Sequence, residues 1–206
     1  MVEIRLANLT HEYDGRRALG PIGFSFGGGC LAVTGPNGSG KSTLLRIIAG
    51  LLTPTGGEAA VCLQSGPISR SALRDIVGFV SPDVHLYGDL SVFENLRFLL
   101  SARGVRWDES LAMRVLDETG LAARANDPVR DLSSGLRQRA ALAAAVVHRP
   151  RLLLLDEPST SLDDDGVHMM RWVIDSQLRD GTVVIATNDE REAAIASSRL
   201  DLGVRQ

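Results

Sequence analysis

"GPNGSGKS", Gly35 to Ser42, decides how this chain folds. The eight residues satisfy G-x-x-x-x-G-K-[ST], with glycine at 35, 38 and 40 and lysine at 41. Glycine lets successive backbone N–H groups curl inward without Cβ clashes, and a helix starting at the end of the loop adds its positive N-terminus. The flanks supply the context this pattern needs. Upstream, "CLAVT" (Cys30 to Thr34) is a short apolar run that predicts a buried strand, and downstream "LLRIIAG" places Leu44, Leu45, Ile47 and Ile48 on a mostly apolar helix that Gly50 closes. Strand, glycine loop and helix form a cradle for a nucleoside triphosphate. Its expected contacts are Gly35, Asn37, Gly38, Ser39, Gly40, Lys41, Ser42 and Thr43, with Lys41 on the β and γ phosphates and the Ser42 hydroxyl on Mg²⁺.

A second stretch, "RLLLLDEP" (Arg151 to Pro158), carries two carboxylates at the end of four leucines. A continuous leucine run reads as a strand buried on both faces, and ligand sites of α/β folds gather at the carboxyl ends of such strands. Asp156 is suited to hold Mg²⁺, and Glu157 to orient or deprotonate an attacking water, a role worth about 10² to 10⁴ in rate. The bland alternative for the pair is a solvated acidic turn before Pro158, which the phosphate loop on the same chain disfavours.

The rest of the chain is consistent with one α/β core. Glycine-bounded runs "VEIRLANL" and "GFSF" predict small antiparallel strands before the buried strand at Cys30, from which Gly27-Gly28-Gly29 separates them. "IVGFVS" (Ile76 to Ser81) and "TVVIAT" (Thr182 to Thr187) predict two more strands. Between about residues 82 and 149 helical signals dominate: Asp108 caps a helix bearing Leu111, Val115 and Leu116, Gly120 ends it, and a last helix runs from Leu136 to His148 before Pro150. The expected architecture is one domain, residues 1–206, with a helical subdomain inserted into the core.

Composition excludes several classes. Lys plus Arg number 22 against 25 Asp plus Glu, a net charge of −3 without long runs of one sign, so nucleic acid is not an expected partner. Cys30 and Cys62 sit in apolar runs without CxxC spacing and read as buried, reduced thiols. No export signal is visible at the start, and the longest apolar stretch, "AALAAAVV" (Ala140 to Val147), is far below the roughly 20 residues that cross a bilayer. His11, His85, His148 and His168 lack metal-ligand spacing, and His148 suits a helix end where positive groups meet unpaired carbonyls. Trp107 and Trp172 read as packing residues.

The third signal is "LSSGLRQR" (Leu132 to Arg139), a small polar turn opening an alanine-rich helix, so that Ser133, Gly135 and free helix N–H groups form a second anion site. The phosphate loop, "LSSGLRQR", "RLLLLDEP" and "STSLD", in that order, resemble the nucleotide-binding domain of ABC-type ATPases over essentially the whole chain. The resemblance implies a P-loop NTPase core with a mostly parallel sheet, an N-terminal antiparallel β subdomain and the helical insertion. It also implies ATP as ligand and a head-to-tail dimer with a second ATP-binding subunit, like or unlike, in which Ser133 and Gly135 face the partner's γ-phosphate. Asp163 then crosses between subunits, Tyr13 takes the place of the ring that stacks on adenine, and separate transmembrane transporter subunits dock a cytoplasmic helix against the helical segment. A peripheral position on the inner face of the cell membrane follows. The short chain is similar to compact exporter-type subunits, including those of haem export for cytochrome c maturation.

The pattern breaks at three places. Asn188, in "TVVIATND", stands where the family usually carries a histidine on the γ-phosphate; an amide still donates one hydrogen bond but never becomes cationic. Loss of a charge-assisted contact of about 1.5 to 3 kcal/mol in the transition state slows hydrolysis by about one to two orders of magnitude. Asn188 or Asp189 also reads as the cap of the next helix. Pro82, or with a shift Asp83, replaces the family's metal-contacting glutamine, and Leu136 replaces a glutamine that often ends the signature turn. Glu157 is intact, so Lys41, Glu157 and Asn188 are the expected catalytic residues and slow ATP hydrolysis the expected activity. A soluble member serving an assembly process of the iron-sulfur type, or a nucleotide-gated binding module with very slow hydrolysis, are the alternatives.

Overall fold

The computed structural model describes residues 2–203. It opens with a long hairpin, β1 (Glu3–Tyr13) and β2 (Arg16–Phe26), turned by Asp14 and Gly15 at φ 49° and 75°. Two successive positive φ values are what a two-residue hairpin loop with the right twist requires, and Asp-Gly supplies them. β4 (Gly56–Leu63) and the two-residue β5 (Gly66–Pro67) complete an antiparallel sheet of order β2-β1-β4-β5.

The second sheet is wholly parallel, in the order β6 (Val77–Val80), β7 (Leu152–Asp156), β8 (Thr182–Ala186), β3 (Cys30–Thr34), β9 (Ser198–Asp201). Every residue of β3, β7 and β8 is buried, because helices cover one face and helix α1 with the antiparallel sheet covers the other. Strand alternation divides the core cleanly. Leu152 and Leu154 join Leu31, Val33 and Val184 beneath α1 (Lys41–Ile48), whereas Leu153 and Leu155 join Val183 and Ile185 against α6 (Asp164–Gln177).

Helices α3 (Val92–Ala102), α4 (Glu109–Glu118) and α5 (Ser134–Val146) build a third cluster around Leu96, Leu100, Leu116 and Leu121. α5 serves two cores at once: Ala140, Ala143 and Ala144 face this cluster while Leu142 and Ala145 face the sheet. That double duty explains its alanines, since small side chains let both layers approach one helix.

The predicted fold class, with its parallel sheet, antiparallel sheet and helices, is the observed one. Differences are local. α5 begins at Ser134, two residues before the expected Leu136, because the Ser133 side chain accepts the Leu136 N–H at 3.3 Å and caps the helix there. It ends at Val146, and His148 lies beyond it. β4, α2 (Arg70–Ile76) and β9 add to the elements read from the sequence, and α7 (Glu190–Ala193) is the helix expected after Asn188. Cys30 and Cys62 are buried free thiols, and burial pushes Cys30 up to about 12, leaving it unreactive near neutral pH. Trp107 packs edge-on against Phe93 at 5.0 Å, while Trp172 is exposed on α6.

Candidate nucleotide site

β3, β7 and β8 all end on one side of the sheet, and their C-terminal residues make the site. After Thr34 the chain turns through Gly35, Gly38 and Gly40 at φ 143°, 80° and 96°, values that side-chain-bearing residues rarely adopt. Space enforces the same choice at Gly40, where a Cβ would sit 2.4 Å from the Ala18 carbonyl of β2. Lys41 starts α1 and is buried; its ammonium donates to the carbonyls of Gly35 at 2.8 Å and Pro36 at 3.3 Å. The loop thus folds around its own cation. Thr43 is buried one turn into the helix, Asn37 and Gly38 are exposed at the lip, and the Ser39 hydroxyl is buried without a partner.

Asp156 ends β7 beside this loop, almost fully buried. Its Oδ2 accepts from the Ser81 hydroxyl at 3.3 Å, and its Oδ1 has no partner at all. Burial raises its pKa, opposed by the Ser42 and Ser81 hydroxyls and by Arg46 and Lys41. An orphaned buried carboxylate oxygen next to two hydroxyls is a hard-oxygen set of the kind Mg²⁺ takes, with phosphate and water completing its shell. Among the described residues there is no cluster of three or more His, Cys, Asp or Glu, so a metal held only by protein side chains does not fit.

Glu157 follows in a left-handed conformation, φ 50°, which costs about 1 to 3 kcal/mol and persists only where the surroundings enforce it. Its N–H donates to the Ala186 carbonyl of β8 at 2.9 Å, fixing the turn, and its Oε1 comes to 3.9 Å from the Lys41 ammonium. Burial raises the Glu157 pKa; Lys41 lowers it, and the charges of Asp156 and Glu192 raise it again. The carboxylate is therefore a better proton acceptor than a solvated glutamate.

Asn188 lies just past β8 and reaches the phosphate loop: its Nδ2 donates to the Asn37 Oδ1 at 3.2 Å. The helix that follows is capped by its neighbour, Asp189, whose carboxylate accepts the Arg191 N–H at 2.7 Å. Of the two capping candidates, Asp189 takes the role and leaves Asn188 free to face the loop. Pro82 carries no side-chain oxygen, and Asp83 is paired with Arg46. The oxygen beside Asp156 comes instead from Ser81. Sequence reasoning missed Ser81, although β6 pairs with β7 in the register Val80 to Leu155, which sets the next residue, Ser81, opposite Asp156.

The signature turn lies elsewhere. Ser133 caps α5, and Gly135 abuts the Ser159–Leu162 turn so closely that a Cβ would be 2.9 Å from the Ser161 carbonyl. Gln138 Nε2 donates to the Pro158 carbonyl at 2.9 Å, and Arg139 pairs with Asp163 at 2.9 Å. Asp163 is also the cap of α6, accepting the Gly166 N–H at 2.8 Å, so its carboxylate is anchored within its own chain. Tyr13, at the hairpin tip, is 42% exposed and stands edge-on to His11 at 4.5 Å. A cleft of about 620 Å³ opens between β2 and the loop, lined by Arg17, Leu19, Gly38, Ser39 and Leu202; Tyr13 is not in its wall. His148 departs from expectation. Its Nε2–H donates to the Val77 carbonyl at 3.2 Å, and burial, aided by Arg103, pushes it down to about 4, so it is neutral and gives no positive charge to a helix end.

A glycine loop at the end of a buried parallel strand, with a carboxylate pair at the same end of β7, one strand removed across β8, defines a P-loop nucleotide-binding protein. Residues 24–160 match the ABC transporter family, and the chain belongs to that family, as an ATP-binding subunit. It is similar to the lantibiotic transport ATP-binding protein SrtF of Streptococcus pyogenes, 32% identical over 186 residues covering 90% of this chain and 79% of that one. It is also similar to the cytochrome c biogenesis ATP-binding export protein CcmA of Cupriavidus pinatubonensis, 36% identical over 190 residues, 90% of this chain and 83% of that one. Among solved structures, the dimeric structure of MJ0796, a bacterial ABC transporter cassette, superposes with a TM-score of 0.85 at 28% identity, over 97% of this chain and 95% of that one.

Proposed function

We propose that this chain is a slow Mg²⁺-dependent ATPase that powers a transporter through separate membrane subunits. The observation that carries it is the orphaned Asp156 Oδ1 beside the Ser42 and Ser81 hydroxyls, with Glu157 held 3.9 Å from Lys41. Gly35, Asn37, Gly38, Ser39, Gly40 and Thr43 wrap the polyphosphate by backbone N–H groups and hydroxyls, Lys41 leaves its loop carbonyls for the β and γ phosphates, and Ser42 and Asp156 hold Mg²⁺. The ion, when bound, neutralises charge that develops on the phosphate oxygens. Glu157 accepts the proton of the attacking water, and Asn188 donates its amide toward the transferred group. Turnover is slow because that amide carries no charge and because Pro82 brings no oxygen to the metal.

Residues 1–206 act as one domain that works in pairs, each copy lending Ser133 and Gly135 to the nucleotide of the other, with Tyr13 beside the adenine. No helix among the described residues is long and apolar enough to cross a membrane. The docking face is an apolar groove of about 790 Å³ between the α1–α2 side and α3, floored by Val77, Phe79 and Leu99 and edged by Leu51, which is 61% exposed. A helix from a membrane subunit seated there puts the chain on the cytoplasmic face of the membrane. Phosphate release with Mg²⁺-ATP is the test: Glu157→Gln loses about 100-fold or more in rate while still binding ATP, and Asn188→His gains about tenfold. Equal rates for the wild type and Glu157→Gln would remove Glu157 from the chemistry.

A further inference from the structure

We propose that Glu192 is a positioning residue for hydrolysis, holding the turn that carries Glu157 against the segment that carries Asn188. The proposal rests on the ATPase reading above.

Glu192 sits in the four-residue helix α7 and is only 5% exposed. One carboxylate oxygen, Oε1, accepts the N–H of Ser159 at 3.0 Å, across 33 residues of sequence, and the other, Oε2, is buried with no partner. Packing alone selects against a half-satisfied carboxylate at such a site, because an apolar side chain fills the space without desolvating a charge. What the carboxylate holds is a backbone that needs holding. Ser159 is two residues past Glu157, and the turn bends through left-handed, non-glycine residues at both Glu157 (φ 50°) and Ser161 (φ 71°). Strained residues keep their conformation only when surrounding contacts over-determine it.

The other end of α7 reaches the phosphate loop. Asp189 caps the helix immediately after Asn188, whose amide meets Asn37. Arg199 of β9 then ties the helix down, donating to Glu190 at 2.7 and 2.9 Å and to the Thr34 hydroxyl, at the end of β3, at 2.9 Å. α7 is thus a short strut: Arg199 anchors it to β3, Asn188 leads it, and Glu192 joins it to the turn after Glu157. Without the Glu192 acceptor, Glu157 is free to leave the geometry in which it takes a proton, and the effect falls on the chemical step.

Steady-state hydrolysis and equilibrium Mg²⁺-ATP binding test this on three variants. Glu192→Ala is expected to lower kcat about tenfold with KM and ATP affinity unchanged. Glu192→Gln keeps an acceptor at the same reach and is expected to restore kcat to within about threefold, whereas Glu192→Asp, one methylene shorter, is expected to stay slow. Should the alanine variant not fold, the contrast between Gln and Asp carries the decision. Wild-type kcat in Glu192→Asp, a Gln variant as slow as Asp, or a parallel loss of kcat and ATP affinity would each overturn the role. A wild type with no hydrolysis at all would instead strike the ATPase reading, a separate outcome.

Discussion

Asp156 and Asn95 are both buried polar side chains, one under the phosphate loop and one inside the helical cluster, and they are treated in opposite ways. Asn95 is fully buried with every group used: Oδ1 accepts the Tyr87 N–H at 2.8 Å, and Nδ2 is shared among the carbonyls of Tyr87, Leu90 and Ser91 at 3.0, 3.3 and 2.9 Å. Asp156 keeps one oxygen empty. A satisfied buried network specifies structure, whereas the open oxygen of Asp156, beside the phosphate loop and two hydroxyls, is left for something not of the chain. The helical segment spends its polar groups on shape, and the end of the parallel sheet reserves its own for ligand.

That contrast is open to attack at both ends. The largest expected effect is on Asp156→Asn, which removes a buried charge: hydrolysis falls by about 10³-fold, while thermal stability holds or rises. A large loss of stability with hydrolysis retained would reverse the assignment. Next, Asn95→Ala should lose about 3 kcal/mol in urea unfolding, because it strands buried backbone groups around Tyr87, yet ATP affinity should stay within about twofold. A changed affinity with unchanged stability would move Asn95 from scaffold to site.

His148 gives the smallest effect and the sharpest sign. Its folded-state value of about 4 lies below the ordinary 6.5, so between those two pH values the unfolded chain binds a proton that the folded chain refuses. Stability from this group is complete above about pH 6.5 and declines as pH falls toward 4, by about 2 kcal/mol between pH 7 and pH 5. His148→Gln keeps a donor for the Val77 carbonyl without titrating, so its stability should fall less than the wild type between pH 7 and pH 5, measured by urea unfolding. Parallel curves would mean that His148 is not the group concerned.

Much of the site was legible because its residues stand in unbroken local patterns. The phosphate loop declares itself through glycine spacing between a strand and a helix, and Asp156 with Glu157 through four leucines that mark the strand end. Ser81 was not legible, since its place beside Asp156 depends on β6 and β7 being neighbours although 71 residues lie between Val80, where β6 ends, and Leu152, where β7 begins. Glu192 was hidden for another reason: in "EREAA" it reads as a solvated helix face, and only the packing of a four-residue helix on the Ser159 turn buries it. β4 escaped because "GGEAAVCL" holds two glycines and two alanines, poor strand formers that pairing with β1 overrides. Asp163 reads as an interface residue from its motif, and the fold adds its anchoring to Arg139 and to the start of α6.

Calorimetric titration of Mg²⁺-ATP into the folded wild-type chain and into Lys41→Ala tests the central claim most directly. The account predicts saturable uptake of about one nucleotide per chain by the wild type and affinity weakened by about 100-fold or more in the variant, whose loop has lost the cation it folds around. Equal uptake by both proteins, or none by the wild type, would contradict it.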